Sequence, residues 1–396
     1  GIHISSICRR RCEFLCFYYQ NRPNIYFTWN PAYLTAPLKK QDVKKEVRQL
    51  QKDCDLANEL GFEATFLDSC PIFAKPGIRF SNQAKFHPLQ YLSELVSRIP
   101  GKGSHVFENS EVTEFNSDAV SVKANGHTVN FKFVIIATHV PLTGNTNLLS
   151  ATLFQTKLAP YSSYVVSAKI PKGRYPEASY WDTDDPYFYL RIDAFKGFDY
   201  AILGGADHKT GQEPGPEKSY KEVQEQLMAL IPEAKIDRYW MGQVIETSDG
   251  LPLIGALGEN QFLATGFSGN GTTFGTLAGS MIRDEIMKQP NPWKDLYRPS
   301  RKKIKGSAWD YLKENKDYPY YMIRDRLAGS EGSSLRALSK GQGKILKLDG
   351  ERVAAYRDDQ GKVTKLSPVC THMGCLVHWN GEERTWDCPC HGSRFS

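Results

Sequence analysis

Two short segments near the C-terminus hold the densest metal-binding chemistry in this sequence. They read Cys370-Thr-His372-Met-Gly-Cys375 and Cys388-Pro-Cys390-His391-Gly-Ser393. Each offers one thiolate and one imidazole, spaced C-x-H in the first and C-x-x-H in the second. A [2Fe–2S] cluster with cysteines on one iron and histidines on the other needs these four ligands. Thiolates are soft anionic donors. Neutral imidazoles remove negative charge from the second iron and raise its reduction potential. Zinc is the alternative, since two Cys and two His are present. Zinc modules mostly pair C-x2–4-C with H-x3–5-H, and C-x-H is unusual among them. His378 lies between the loops, fits neither ligand position and reads as a strand residue.

From Leu335 onward these residues resemble the Rieske family. The resemblance implies a small antiparallel β-domain over residues 334–396 with the cluster at its tip. By motif position Cys370 and Cys388 would bind one iron, and His372 and His391 the other. Cys375 and Cys390, one on each loop, would form a disulfide that clamps the loops together. Ser393 matches a family serine that hydrogen-bonds the cluster and raises its potential. Phe395 stands where high-potential members carry a tyrosine, so a potential below the top of the family range is expected. Family members continue into a glycine/proline cover loop, which is not reached by Ser396.

The 396 residues are enough for two or three domains, and 40% hydrophobic with 24% charged residues is an ordinary globular balance. The net charge of +6 is mild. The basic run from Arg298 to Lys305 reads as a solvated linker, and no nucleic-acid partner is expected. No apolar stretch reaches the roughly 18 residues of a membrane-spanning helix. Apart from the four loop cysteines, Cys8, Cys12, Cys16, Cys54 and Cys70 form no extracellular framework. A cytoplasmic location is therefore expected. Residues 1–29 start without Met and faintly suggest a signal peptide. Their apolar run is too short, and they read as an atypical, non-native start.

The elements that must position this chemistry are legible in part. Residues 41–60 carry Val43, Val47, Leu50, Leu56 and Leu60 among charges, an amphipathic helix ended by Gly61. Pro88 opens a second helix to Ser97, with Leu89, Leu92, Leu95 and Val96 on one face. Residues 105–109, 119–123 and 127–132 alternate as short strands, the last two joined at Asn125-Gly126. Residues 133–138 read as a buried parallel strand. Residues 155–245 are strand-rich, with a helix near 219–230, and predict an antiparallel substrate sheet.

A second site follows. Asp249-Gly-Leu-Pro precedes a strand ending in Gly266-Phe-Ser-Gly-Asn-Gly271-Thr272, which opens into a helix. Glycines there let backbone approach a flat ligand, and a helix N-terminus favours negative charge. These segments resemble the D-amino-acid-oxidase-like FAD superfamily. Together with Asn82–Pro88, Ile135–His139 and Gly204–Gly211, they look like FAD oxidoreductases carrying a C-terminal Rieske domain. The fold class implied is an α/β flavoprotein, with a partial FAD-binding fold plus an antiparallel substrate sheet, followed by the small all-β Rieske domain. The expected partition is 30–290 for the flavoprotein part, 291–333 for a linker with a helix, and 334–396 for the Rieske part. By carry-over, Gly266, Phe267, Ser268, Gly269, Asn270, Gly271 and Thr272 would lie against the isoalloxazine. Ala137 and Thr138 would end a strand near the dinucleotide, and Val112 would sit near the adenine.

The sequence contains no G-x-G-x-x-G, since Gly101-Lys-Gly103 and Gly341-Gln-Gly343 lack the third glycine. The chain therefore resembles a member shortened at both ends. No catalytic residue is assigned. His87, His139, His208 and Arg191 are candidates for the substrate side, while His87 also reads as a helix cap and Arg191 as a strand-face charge. The expected function is electron passage between a small molecule oxidised by FAD, an amine or amino acid, and the [2Fe–2S] cluster, with an unknown acceptor. The rivals are an electron-transfer protein on a flavin-like scaffold and an inactive fragment.

Overall fold

In the computed structural model the described residues are 27–116, 119–139, 157–213, 215–301, 317–371 and 374–395. The readings on the first 26 residues, and on His372, fall outside them. In chain order the elements begin with β1 (Phe27–Thr35), α1 (Lys44–Glu59), β2 (Ala64–Leu67), β3 (Gly77–Phe86) and α2 (Pro88–Val96). Then come β4 (Val112–Asn116), β5 (Ser121–Ala124), β6 (His127–Asn130), β7 (Val134–Ile136), β8 (Leu158–Ile170), β9 (Ser179–Asp182), β10 (Tyr189–Ala194) and β11 (Asp199–Lys209). They are followed by α3 (Pro216–Leu230), β12 (Lys235–Thr247), β13 (Leu253–Gly258), β14 (Gln261–Thr265), α4 (Gly271–Ile286), α5 (Lys294–Tyr297) and α6 (Asp317–Leu327). The C-terminal strands are β15 (Gln342–Leu348), β16 (Glu351–Arg357), β17 (Val363–Leu366), β18 (His378–Asn380), β19 (Thr385–Asp387) and β20 (Arg394–Phe395).

The chain forms two units. One takes its described residues from Gly1–Glu108, Ser163–Asp207 and Lys218–Trp240, the other from Asn109–Ser162, His208–Glu217 and Met241–Ser396. In the first, α1 buries Leu50, Cys54 and Ala57, one stripe at helical spacing, with Ala36 and Ile78 beneath them. Gly61 then takes φ +85°, the left-handed conformation that ends a helix at little steric cost. The sheet core holds Tyr180, Phe188, Leu190, Ile192 and Leu203, all fully buried.

The sheet order is β12-β8-β11-β10-β9-β1-β3-β2. Residues 155–245 therefore supply only part of it, and β1 to β3 supply the rest. It is also mixed rather than antiparallel, because β1 runs parallel to β9, with Tyr33 opposite Tyr180. Their rings stack 5.0 Å apart. Two further expectations change. Residues 105–109 form no strand, and Phe107 is exposed. Helix α2 forms as expected, but Leu89, Leu92, Leu95 and Val96 are exposed, since no described element covers that face.

In the second unit β7 lies parallel to β14, and β13 antiparallel to β14. Only Ile136 of β7 is buried, and Ile135 is half exposed. Phe274, Leu277, Ala278, Met281 and Ile282 of α4 pack on Ile254 and Phe262 of this small sheet. Strands β4-β5-β6 form a separate sheet. The C-terminal part consists of two three-stranded sheets, β15-β16-β17 and β18-β19-β20. Tyr356, Trp379 and Trp386 link them through rings 4.8 and 5.0 Å apart.

Candidate functional site

The two Cys/His loops are built alike. In the first, Val369 bridges Leu376, the Cys370 N–H donates to the Cys375 carbonyl (2.8 Å), and the Gly374 N–H donates to the Cys370 carbonyl (3.0 Å). In the second, Asp387 pairs with Arg394, the Cys388 N–H donates to the Ser393 carbonyl (2.8 Å), and the Gly392 N–H donates to the Cys388 carbonyl (2.8 Å). Gly374 and Gly392 hold the same place in each turn, with φ +72° and +63°. That conformation strains any residue with a Cβ, so the spacing from cysteine to glycine is a backbone requirement.

Cys375 and Cys390 join the loops as a disulfide, with Cα atoms 6.6 Å apart. Cys370 and Cys388 are buried and lie outside the disulfide. The Cys370 thiol beside it, and then burial, push the Cys388 thiol well above its ordinary value. Two facing thiols resist joint ionisation, and a bound cation reverses that by stabilising both thiolates. His391 buries its Nδ1, and the Ser393 Oγ is buried with no hydrogen-bond partner among the described residues. A hydroxyl left so is costly unless a further acceptor occupies the site. This donor set (two thiols, an imidazole and a spare hydroxyl) thus fits a [2Fe–2S] cluster. His378, on β18, is not part of it.

Helix α6 braces these loops, and no motif in the sequence marks it for that role. Its Tyr318 ring lies 5.3 Å from the His391 ring. Arg326 donates to the Gly374 carbonyl (3.0 Å). Asp325 lies 2.9 Å from His378 Nε2, and the Gly211 carbonyl lies 2.7 Å from His378 Nδ1. Burial raises the Asp325 carboxyl, but hydrogen bonding and charge from His378, joined by Arg324, outweigh it, so its pKa lies below the ordinary value. The aromatic run Tyr318-Pro-Tyr320-Tyr321 was the available signal for a packed helix.

The glycine-rich turn sits where the sequence placed it, between β14 and α4. Gly266, Ser268 and Gly269 have φ +75°, +46° and +77°. The Ser268 N–H donates to the Ile245 carbonyl on β12 (2.9 Å). A Cβ at Gly266 would lie 2.5 Å from Thr247 Cγ2, whereas at Gly269, Gly271 and Gly275 it would meet nothing within 4 Å. The turn is thus pressed onto β12 on one side and open on the other. Ala137, Phe267 and Gly275 line one groove of about 430 Å³ with Ile135, Ala264 and Ala278. An open, glycine-faced helix start beside an apolar groove fits the ring end of a flavin. Val112 lies on β4 and Thr138 follows β7; neither lines this groove.

Beneath the turn, Asp249 accepts two hydrogen bonds from Arg301, 2.7 and 2.6 Å long, and both side chains are more than nine-tenths buried. Of the other candidates, His87, Arg191 and His208 are not gathered here. His87 caps α2, accepting from the Gln90 N–H at 3.4 Å. Arg191 donates to Asp193 (2.8 Å) and to the Phe86 carbonyl (3.0 Å). His208 Nδ1 lies 3.0 Å from the Lys209 carbonyl. His139, three residues past β7, does lie at the turn: its carbonyl accepts from the Thr265 hydroxyl just before Gly266, and burial lowers its imidazole pKa.

Comparison with known proteins bears on both sites. A model of FAD dependent oxidoreductases matches residues 8–285, and a model of the Rieske [2Fe-2S] domain matches residues 333–396. The chain belongs to the FAD dependent oxidoreductase family and carries a Rieske domain after it. The first domain implies FAD, and the second implies a [2Fe–2S] cluster. The chain is 32% identical over 357 residues to the Bacillus subtilis protein YhfW, named a Rieske 2Fe-2S iron-sulfur protein; the match covers 88% of this chain and 69% of that one. Over 56 residues it is 39% identical to the cytochrome b6-f complex iron-sulfur subunit of Chlorobaculum tepidum, 14% of this chain and 30% of that one. In fold it is similar to glycine oxidase from Geobacillus kaustophilus, with a TM-score of 0.62 and 16% identity over 76% of this chain and 82% of the other. L-proline dehydrogenase from P. horikoshii is similar too, with a TM-score of 0.57 and 20% identity over 73% and 81%. No described helix is long and apolar enough to cross a membrane.

Proposed function

We propose that this oxidoreductase passes electrons between a small molecule oxidised at FAD and a Rieske [2Fe–2S] cluster held by Cys370, His372, Cys388 and His391. The observation that carries this reading is the pair of matched loops, with two facing thiols, a buried imidazole and the spare Ser393 hydroxyl. When bound, FAD accepts a substrate's electron pair and the cluster carries single electrons. The chain's own residues supply position. The Cys375–Cys390 disulfide and the Arg326 bond to Gly374 fix the loops. Tyr318 covers His391 from α6. The turn from Gly266 to Gly271 presents backbone and a helix N-terminus to the flavin ring, where negative charge develops on reduction. Thr138 and Val112 are assigned to the dinucleotide side on resemblance alone, while Ala137 also lines the groove beside the turn.

The substrate class we infer is an amine or amino acid. The similar structures are named as an oxidase of glycine and a dehydrogenase of L-proline. The test is anaerobic reconstitution with iron, sulfide and FAD, followed by absorption and electron paramagnetic resonance. A Rieske-type signal that disappears in His391→Ala, and flavin bleaching by members of an amino-acid and amine panel, are expected. A colourless protein that binds zinc at the loops would refute the cluster assignment.

A further inference from the structure

The loop that carries His391 does not hang free of the flavoprotein strands within its unit. Gln243, on β12, donates to the Gly392 carbonyl (2.9 Å) and to Thr210 Oγ1 (3.2 Å). Gln212 donates to the Pro389 carbonyl (3.0 Å). Glycines let the two segments approach closely. A Cβ at Gly392 would lie 2.6 Å from the Pro160 ring, and one at Gly211 would lie 2.8 Å from the Cys388 carbonyl carbon. The crevice left between them is about 10 Å³, room for a single water at most.

The same two strands also contact the glycine-rich turn. On β12, Gln243 holds the His391 loop, and Ile245, two residues on, accepts the Ser268 N–H. On the neighbouring strand β8, Pro160 meets Gly392, and Leu158, two residues back, lies 3.7 Å from where a Gly266 Cβ would be. Two residues of strand span roughly 7 Å. Two adjacent strands therefore set the flavin turn and the cluster loop side by side at one register.

We propose that Gln243 is a positioning residue that docks the His391 loop on β12, so that the cluster is held at one fixed separation from the flavin instead of riding on a mobile head. This rests on the function proposed above. A through-strand connection of this kind has one polar side chain at its centre. Gln243 can donate to two acceptors at once, which apolar residues of similar length cannot do.

The test uses the full chain with both cofactors bound and compares it with Gln243→Leu. Hydrogen exchange of the peptide covering 386–395 should rise about five- to tenfold, the population change that follows loss of one hydrogen bond. After flash photoreduction of the flavin, bleaching of the cluster should slow, while both midpoint potentials and the resonance signal of the cluster stay unchanged. Gln243→Glu, nearly isosteric but with a carboxylate facing the Gly392 carbonyl, serves where Gln243→Leu fails to fold. Unchanged exchange in a folded variant overturns the docking role. Raised exchange with an unchanged transfer rate overturns the claim that docking sets the separation. If the unaltered protein shows no flavin-to-cluster transfer at all, the proposed function fails instead, and the exchange readout still decides the docking.

Discussion

Replacing Arg301 with Met tests whether the buried ion pair under the glycine-rich turn holds that turn in place. Arg301 donates to both oxygens of Asp249 and to the carbonyls of Leu251 (2.6 Å), Pro252 (2.9 Å) and Tyr297 (3.3 Å). Met fills much of the same volume but donates nothing. Asp249 would keep only Thr247 Oγ1 and the Leu251 N–H, each at 3.2 Å. Removing one partner of a buried pair costs about 3–5 kcal/mol, chiefly because the other charge stays buried. At about 2–4 °C per kcal/mol for a unit of this size, the melting transition should fall on the order of 10 °C. Thr247, which donates to Leu251 and underlies Gly266, loses its support, so FAD should be released more readily in equilibrium dialysis.

The double variant Arg301→Met/Asp249→Leu removes both charges and should recover most of the loss. Burial acts to raise the Asp249 carboxyl, and Arg301 outweighs it, so its pKa sits below the ordinary carboxylate value. That contribution is therefore complete above about pH 4 and is lost as pH falls through the lowered value. Scanning calorimetry of the four proteins at neutral pH closes the cycle. A single-variant loss under about 1 kcal/mol, or a double variant as unstable as the sum of its parts, would refute the reasoning.

Two other outcomes follow from single residues. Asp182 is buried with one oxygen lacking a hydrogen-bond partner among the described residues, and burial raises its pKa to about 6. The folded state then binds the proton more tightly, so its contribution is full below about pH 4 and lost as pH rises through 6; urea titrations of Asp182→Asn should lack that slope, and an unchanged slope would exclude Asp182 as its source. Gly343 faces the Trp379 ring so closely that any Cβ overlaps it. Gly343→Ala should cost about 1–3 kcal/mol and change the near-ultraviolet dichroism of the Tyr356–Trp379–Trp386 stack, and a wild-type spectrum would count against that contact.

The local chemistry was legible in the sequence, and the reason is short range. Cys370 to Gly374 and Cys388 to Gly392 span single turns, so covalent spacing alone constrains where thiol, imidazole and left-handed glycine fall. The same holds for the strand, turn and helix around Gly266 and for the stripe on α1. The expected strand at 105–109 failed because alternation says nothing about whether a partner strand is present. The mixed sheet is not legible in the sequence because β1 meets β9 through residues about 150 positions apart, and no local pattern records that pairing.

Long-range placement decided the rest. Helix α6 carries no motif, yet Tyr318, Asp325 and Arg326 reach His391, His378 and the Gly374 carbonyl. Gln243 is an ordinary strand glutamine until folding brings the Gly392 carbonyl to it. The sequence by itself determined which atoms could bind a cluster and where the glycine-rich turn begins, because those are properties of neighbouring residues. Only the tertiary structure determined that both contact the same pair of strands, because strand register is settled by packing over the whole sheet.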